Sequence, residues 1–309
     1  MTIDPADPSA SLFGIIPPLT MPFDDDGELV EDALADQVNW MVEAGAAGVV
    51  VGGSTGEGHT LSGDEHAAAM HVAHDTLAGR RSLLAGLIVN STTEAVRRAR
   101  ALDGLDIDAL QVTPVHYLFK PGRQATIDHF RAIHEESGRP IIIYNVIPWN
   151  YLDPPSMLEI MDKVPGVIGI KQSSGDLKAL ADLMLELPDD RVVLTGIDAL
   201  LYPSFALGAH GAITALTAAL PHVTVALHKA VRSGDHETAR GVHDCLLRLW
   251  NALSHDNLPA CVKYIQNRQG LPFFQPRAPM DRVSEAQRKR IDRELAPMLA
   301  MLEHFGKAA

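Results

Sequence analysis

A lysine closes one of the most apolar stretches of the chain, since Lys171 follows the run Val167 to Ile170 (VIGI). At the C-terminal end of a buried strand an ammonium group is costly to desolvate, so we expect its pKa to fall toward neutrality and to leave a nucleophilic amine. Such an amine condenses with a ketone to an iminium, an electron sink for breaking a bond beside the carbonyl carbon. A lysine paired with a carboxylate is the alternative, and position alone does not decide between the two.

Two further segments could serve the same chemistry. Tyr144 ends the apolar run Ile141 to Ile143, and a phenol held in a hydrogen-bond chain can shuttle protons beside a Schiff base; a buried structural tyrosine is the alternative. The segment Gly53 to Glu57 (GSTGE) is a tight turn that opens toward a helix. Its backbone N–H groups and hydroxyls could hold a carboxylate.

Metal binding is the competing chemistry. His66, His71, His74 and Asp75 share one helical segment. They lie in the middle of that segment, far from the C-terminal ends of the strands, so a solvated helix face is the better interpretation. We therefore predict no metal and no other cofactor.

Eight short apolar runs alternate with segments of helical period and must position these residues. Continuous apolar runs are typical of parallel strands buried on both faces. The alternation predicts an α/β fold, a (β/α)8 TIM barrel with a C-terminal helical extension, in which catalytic groups gather at the C-terminal ends of the strands. The runs are Phe13–Ile16, Ala47–Val51, Leu83–Val89, Ala109–Thr113, Pro140–Val146, Val167–Lys171, Val192–Thr195 and Gly211–Thr214.

Helix signals divide the chain further. Ser62 with Glu65, and Ser91 with Glu94, both fit the capping-box pattern at a helix start. From about Pro221 the strand signal stops and the remainder has helical character. We therefore expect a barrel over residues 1–220 and C-terminal helices packed on it over 221–309.

The composition excludes several classes of protein. A formal charge of −13 argues against a nucleic-acid surface, which needs clustered Lys and Arg. The sequence contains no run of about 18 apolar residues, so no membrane span is predicted. Cys245 and Cys261 lack CxxC spacing, and the first residues lack the basic start and apolar core of a signal peptide. A cytoplasmic location is the expectation.

Taken in order along the chain, these motifs resemble the dihydrodipicolinate synthase/N-acetylneuraminate lyase family. The resemblance covers nearly the whole sequence, and the order and spacing of the motifs make it specific. The motifs are PLTMPF from Pro18, GSTGE from Gly53, YNV from Tyr144, GIK ending at Lys171, GID from Gly196, GAHGAI from Gly208 and LPACVK from Leu258.

The resemblance implies a class I, Schiff-base-forming aldolase or lyase in which Lys171 binds a pyruvate-like 2-oxo acid. Tyr144 would be the proton-relay phenol. Ser54 and Thr55, next to Gly53, match the hydroxyl pair that orients the phenol and binds the substrate's carboxylate.

The resemblance also implies contacts around the bound ketoacid and between subunits. Ile213 would pack near the substrate. Members are commonly homotetramers, so a homotetramer or dimer is expected, and some place a neighbouring subunit's tyrosine in the relay. The corresponding segment, Thr113–Pro121, is longer here, so His116, Tyr117 or neither could take that role.

One departure concerns the distal half of the substrate. In dihydrodipicolinate synthase proper, an arginine that follows the tyrosine segment grips the carboxylate of the aldehyde substrate, whereas this chain continues Pro148, Trp149, Asn150. A bidentate carboxylate partner is therefore missing. We predict a lyase on another 2-oxo acid, by aldol cleavage, dehydration or deamination. The alternatives are 4-hydroxy-tetrahydrodipicolinate synthase activity itself, a non-catalytic 2-oxo-acid sensor, and a metal-dependent barrel enzyme.

Overall fold

Parallel strands form one eight-stranded sheet in the computed structural model, which describes residues 10–115, 117–253 and 256–305. They pair in the order β1-β8-β7-β6-β5-β4-β3-β2. Beyond β1, the N–H of Leu19 donates to the carbonyl of Val50 (2.8 Å) and the N–H of Val50 to that of Pro17 (3.0 Å), which joins β2 to the first segment. The predicted (β/α)8 barrel is confirmed. The strands are β1 (Gly14–Ile15), β2 (Gly48–Val51), β3 (Ser82–Leu87), β4 (Ala109–Val112), β5 (Ile141–Asn145), β6 (Val167–Gln172), β7 (Val192–Thr195) and β8 (Gly211–Ala212).

The apolar runs become strands because both of their faces are buried. One set of side chains, including Val50, Leu84 and Ile142, forms a cluster inside the barrel. The alternate side chains, such as Val49 and Ile143, pack outward against the helices. The strand ends of adjacent β5 and β6 therefore meet at one mouth of the barrel, as the chemistry of the sequence requires.

Helices follow the strands and continue after the barrel. Eight accompany the barrel strands within the described residues: α1 (Glu31–Glu43), α2 (Gly63–Leu77), α3 (Thr92–Arg100), α4 (Arg123–Ser137), α5 (Pro154–Lys163), α6 (Leu177–Glu186), α7 (Leu201–Ala206) and α8 (Ala215–Ala219). The C-terminal extension comprises α9 (Pro221–Arg232), α10 (His236–Ala252), α11 (Leu258–Asn267) and α12 (Glu285–Phe305). Short 3-10 helices cover Ala10–Leu12, Gly58–Thr60, Pro148–Asn150 and Asp198–Leu200.

Only one of the two predicted capping boxes forms. At the start of α2, Ser62 accepts from the N–H of Glu65 while the Glu65 carboxylate accepts from the N–H of Ser62. At the start of α3, Ser91 accepts from the N–H of Glu94 (3.2 Å), but the Glu94 carboxylate pairs with arginines of the next turn. The second prediction is wrong because two cations three and four residues away compete for that carboxylate.

The histidines of α2 are not all on a solvated face. His71 is exposed, but His66 is buried against Gly52, and burial lowers its pKa to about 4. The expectation of a solvated face is therefore wrong for His66. Among the described residues, no three His, Cys, Asp or Glu side chains are grouped as metal ligands would be.

The C-terminal helices contact the barrel rather than standing apart from it. Helix α11 packs on α8, and α9 packs on β1. The division of the chain at residue 220 stays a prediction. In the described part of the chain, no helix combines the length and apolarity needed to cross a bilayer.

Candidate active site

Lys171 and Tyr144 face each other across two paired strands. They are register partners at the ends of β6 and β5, and both side chains are buried. The Lys171 Nζ lies 3.7 Å from the centroid of the Tyr144 ring. The sequence placed each residue at a strand end, and the barrel brings the two together.

Burial lowers the pKa of Lys171, because a charged ammonium is poorly solvated inside the barrel. The Tyr144 phenol and the Asp198 carboxylate act in the opposite direction, but burial outweighs them. Among the described residues, no carboxylate forms an ion pair with Lys171. The geometry thus favours a free amine over the ion-paired alternative.

Ser54 connects the Gly53–Glu57 turn to the phenol. Its Oγ lies 3.1 Å from the Tyr144 hydroxyl, and either oxygen can donate. The turn is closed by two backbone bonds, from the Glu57 N–H to the Ser54 carbonyl and from the Gly58 N–H to the Gly53 carbonyl, each 3.0 Å. Thr55 lies in the same turn and remains partly accessible.

Asp198 is the buried carboxylate whose charge acts on Lys171. Its carboxylate accepts from the N–H of Leu216 (2.5 Å) and of Ala215 (3.4 Å), which fixes it at the start of α8. Burial raises its pKa despite these hydrogen bonds. Gly196, two residues earlier, leaves space for the lysine, since a Cβ there would lie 3.2 Å from Lys171 Cε and would clash with Ser173 Oγ.

A buried ion pair between α11 and Glu57 holds the Gly53–Glu57 turn in place. The Lys263 Nζ of α11 donates to Glu57 Oε1 (2.5 Å) and to the carbonyl of Gln275 (3.0 Å). The backbone N–H of Arg277 donates to the other Glu57 oxygen (2.8 Å). Glu57 itself adopts a left-handed conformation (φ 56°) and is fully buried. The C-terminal extension therefore fixes the turn that ends at Glu57.

The remaining predicted substrate residues occupy two places. Ile213 is buried inside the barrel beside Leu194. Tyr117 and Trp149 lie on the rim, 63% and 60% exposed, where the Trp149 Nε1 donates to the Tyr117 carbonyl (2.9 Å). His116 lies outside the described residues. No described contact joins Trp149 or Tyr117 to Lys171, so their binding roles stay predictions.

Two polar residues near the site were not predicted. The Tyr151 hydroxyl donates to the carbonyl of Ser173 (3.3 Å), and burial, with the nearby Tyr144, raises the pKa of Tyr151. Gln111 is a buried amide within β4. The Gln111 signal was present in the sequence, as one polar residue in the strand ALQV, whereas Tyr151 carries no comparable signal.

Comparison with known proteins now decides the family. The model of the dihydrodipicolinate synthetase family matches residues 11–297. The chain belongs to that family. It is 34% identical over 285 residues to a 4-hydroxy-tetrahydrodipicolinate synthase of Methanopyrus kandleri, covering 91% of this chain and 95% of that protein. A synthase of the same name from Bradyrhizobium diazoefficiens is also 34% identical, over 87% of this chain and 91% of its own.

Solved structures give the same result. The prophage protein YagE of E. coli K12, a member of the dihydrodipicolinic acid synthase family in complex with pyruvate, superposes with a TM-score of 0.87 at 26% identity, covering 92% of this chain and 98% of its own. The sialic acid aldolase of Ruminococcus gnavus has a TM-score of 0.88 over 96% of this chain and 99% of its own. At 22% identity, this superposition shows a shared fold alone. The predicted family and the prediction of a class I, Schiff-base lyase are confirmed.

Proposed function

We propose that this family member cleaves or builds a 2-oxo acid through a Schiff base on Lys171, with Tyr144 as the proton relay and Ser54 orienting its phenol. The observation that carries the proposal is the buried amine of Lys171. It has a lowered pKa, it contacts a phenol rather than a carboxylate, and that phenol is hydrogen-bonded to the Gly53–Glu57 turn.

The groups present account for each proton of Schiff-base formation. The lone pair of the neutral Lys171 amine forms the new C–N bond to the ketone carbon, and one proton of that nitrogen passes through Tyr144 to the former ketone oxygen, which gives a neutral carbinolamine. Tyr144 then protonates the carbinolamine hydroxyl, which leaves as water while the nitrogen lone pair forms the C=N bond of the protonated iminium, and solvent returns the proton to the Tyr144 phenolate. When the C3–C4 bond breaks, its electron pair moves toward the iminium nitrogen. This sequence uses no cofactor beyond the lysine.

The turn supplies the anchor for the substrate's carboxylate. Ser54 and Thr55 keep accessible hydroxyls, and Gly53 has no side chain to screen its backbone. Ile213 packs below the ketoacid inside the barrel. Tyr117 and Trp149 bind the distal half of the substrate from the rim, and His116 is a further candidate on the sequence alone.

The substrate is a pyruvate-type 2-oxo acid whose distal half carries no carboxylate at the position that Trp149 faces. Trp149 is 60% exposed and presents an apolar surface, while the neighbouring Asn150 is buried and donates to the Val115 carbonyl (2.8 Å). Neither supplies a cation. A second candidate is 4-hydroxy-tetrahydrodipicolinate synthase activity itself, favoured by the names of the relatives at 34% identity.

Borohydride trapping tests the covalent step. Wild-type protein treated with pyruvate and sodium borohydride should gain one pyruvyl-derived mass on the peptide that contains Lys171. A Lys171→Arg variant should gain none, because a guanidinium stays protonated. An unmodified wild-type protein, or an adduct in the variant, would refute the proposed nucleophile.

A matched pair of aldehydes separates the two candidate activities. With pyruvate as donor, turnover is compared between an aldehyde that carries a carboxylate and the same aldehyde with that group replaced by a methyl ester. The proposal expects no preference for the acid. A preference of about 100-fold or more for the acid would instead support the synthase, because a carboxylate partner contributes that much to recognition.

We propose further that the protein is a cytoplasmic homodimer or homotetramer. Large apolar side chains, Tyr117, Leu118, Phe119 and Trp149, stand exposed together on the rim. An apolar patch of this kind is typical of an association surface. Sedimentation equilibrium should give two or four times the chain mass of 33.4 kDa, and a monomer at all concentrations would contradict this.

A further inference from the structure

Gln111 is a buried amide that the fold leaves without a partner. It lies in β4 with no exposed surface, and both its Nε2 and its Oε1 lack a hydrogen bond. Leaving such a group unsatisfied is unfavourable, because the group loses its hydrogen bonds to water and gains none in return. The other buried amides of the described residues have at least one partner, although the Oδ1 of Asn150 also lacks one. The amide of Gln37 bonds to the N–H, the carbonyl and the hydroxyl of Thr20.

The amide of Gln111 points toward the turn that begins at Gly53. A Cβ built on Gly53 would lie 3.9 Å from Gln111 Nε2 and 3.5 Å from Pro18 Cβ. There is thus space for one small group between the turn and the amide. A short path of contacts leads from Lys171 to this place, through the Tyr144 ring and the Ser54 hydroxyl.

We propose that Gln111 donates a hydrogen bond to the carboxylate of the 2-oxo acid, on the side of that group away from Ser54 and Thr55. The inference rests on the proposed function. A 2-oxo acid carries its carboxylate on the carbon next to the ketone, so the carboxylate must be bound close to Lys171. A neutral amide donor suits this place for two reasons. Its hydrogen bond is stronger when the acceptor is charged, and the amide adds no cation that would pair with the substrate before the lysine reacts.

Two substitutions at Gln111 and two ketones test the proposal. The ketone concentration that gives half-maximal borohydride trapping is measured with pyruvate and with methyl pyruvate, whose ester carries no charge. Gln111→Met should weaken the binding of pyruvate by about 10- to 100-fold, as expected for a hydrogen bond to a charged group. It should weaken the binding of methyl pyruvate by less than about 3-fold. Gln111→Glu should weaken pyruvate further, since it places a second negative charge beside the first.

Thermal unfolding of the ligand-free protein separates binding from structure. Gln37→Met is the matched control, a buried amide whose hydrogen bonds lie within the fold. It should lower Tm and leave the preference between the two ketones unchanged. Gln111→Met should leave Tm unchanged or raise it, because it removes an unsatisfied polar group. A Tm loss equal to that of Gln37→Met, or equal weakening of both ketones, would overturn the proposal.

Gly53→Ala probes the same space from the other side. Its methyl group would make ordinary van der Waals contacts, so the variant should fold, and it should weaken pyruvate binding by roughly the same factor as Gln111→Met. Wild-type affinity in this variant would show that the space is not used and would overturn the proposal.

Failure of the proposed function gives a different pattern. If wild-type protein traps neither ketone, the Schiff base is wrong, and Gln111 is then judged by the rise in Tm that pyruvate causes. A rise present in the wild type and lost in Gln111→Met supports carboxylate binding. An equal rise in both proteins, or none in the wild type, overturns it.

Discussion

Among the residues that the structure describes, two lysines are almost completely buried, and their surroundings differ. Lys171 ends strand β6 and is 4% exposed, and Lys263 in α11 is 3% exposed. Burial lowers the pKa of both. Lys263 is fixed by the Glu57 carboxylate and a backbone carbonyl, whereas Lys171 lies over the face of a phenol. Burial alone therefore does not make a lysine reactive, because the partner decides whether the amine is held as a charge or is free to attack.

The two lysines also differ in what they contribute to the fold. The Lys263–Glu57 pair joins residues 206 positions apart and holds the turn that carries Ser54. A buried pair of this kind adds little stability compared with an apolar replacement, but breaking it leaves an uncompensated charge. Lys171 has no such structural task, so its side chain can be altered with little effect on folding.

Loss of Lys171, the proposed nucleophile, should have the largest effect. Lys171→Met is expected to reduce turnover by about 10⁴-fold or more, since removal of a covalent nucleophile leaves only binding and polarisation. Its Tm should equal or exceed that of the wild type, because an unpaired buried amine is removed. Steady-state kinetics and calorimetry measure the two values. A variant that unfolds, or that keeps measurable turnover through an adduct, would contradict the comparison.

The phenol beside Lys171 comes next. Tyr144→Phe should lower kcat by about 10²- to 10⁴-fold, the usual contribution of a positioned acid or base. Trapping of pyruvate should be slowed but not abolished, since the amine remains. Rapid-quench trapping separates these steps. Unchanged turnover would identify another group as the relay.

The structural lysine should affect stability rather than chemistry. Lys263→Met is expected to destabilise the protein by about 3–5 kcal/mol, because Glu57 stays buried without its partner. Adding Glu57→Gln should recover most of that loss, as the stranded charge is removed. Urea denaturation of the two single variants and the double variant measures the coupling. Additive losses would show that the pair is not coupled.

The pH dependence is the smallest effect and the most specific. Only the neutral amine attacks, so trapping should accelerate as pH rises through the pKa of Lys171. Because burial lowers that pKa, the rise should occur at lower pH than for an exposed lysine. The Tyr144 phenol opposes this lowering, so Tyr144→Phe should move the rise to still lower pH. A shift to higher pH would show that the phenol lowers the pKa of Lys171 instead of raising it. The trapping rate is measured between about pH 5 and 10, a range that ends near the usual pKa of an exposed lysine.

Much of the fold could be predicted because its signals are local. The run Val192–Thr195 is a strand with the predicted bounds, and the other strands differ from their predicted bounds by one or two residues at one or both ends. The first and last strands are the shortest, Gly14–Ile15 and Gly211–Ala212, because the segments beyond them bond across the closing seam and into α8 instead. The capping residue Ser91 was correct, but its partner was not, because arginines on the same helix compete.

Less of the site was accessible to sequence reasoning. Lys171, Tyr144 and the turn at Gly53 could be proposed as candidates because each follows an apolar run. The free state of Lys171, the pairing of Glu57 with Lys263 and the unsatisfied amide of Gln111 could not be found in this way. Each depends on which side chains from distant segments occupy the same volume.

The sequence by itself determined the barrel, the family and the residue types available at the strand ends. These follow from apolar periodicity and from the order of short motifs, both of which are local properties of the chain. Only the tertiary structure decided which buried lysine is neutralised by a carboxylate and which lies against a phenol. That difference arises because closing the barrel and packing α11 against it bring some charges into contact and keep others apart.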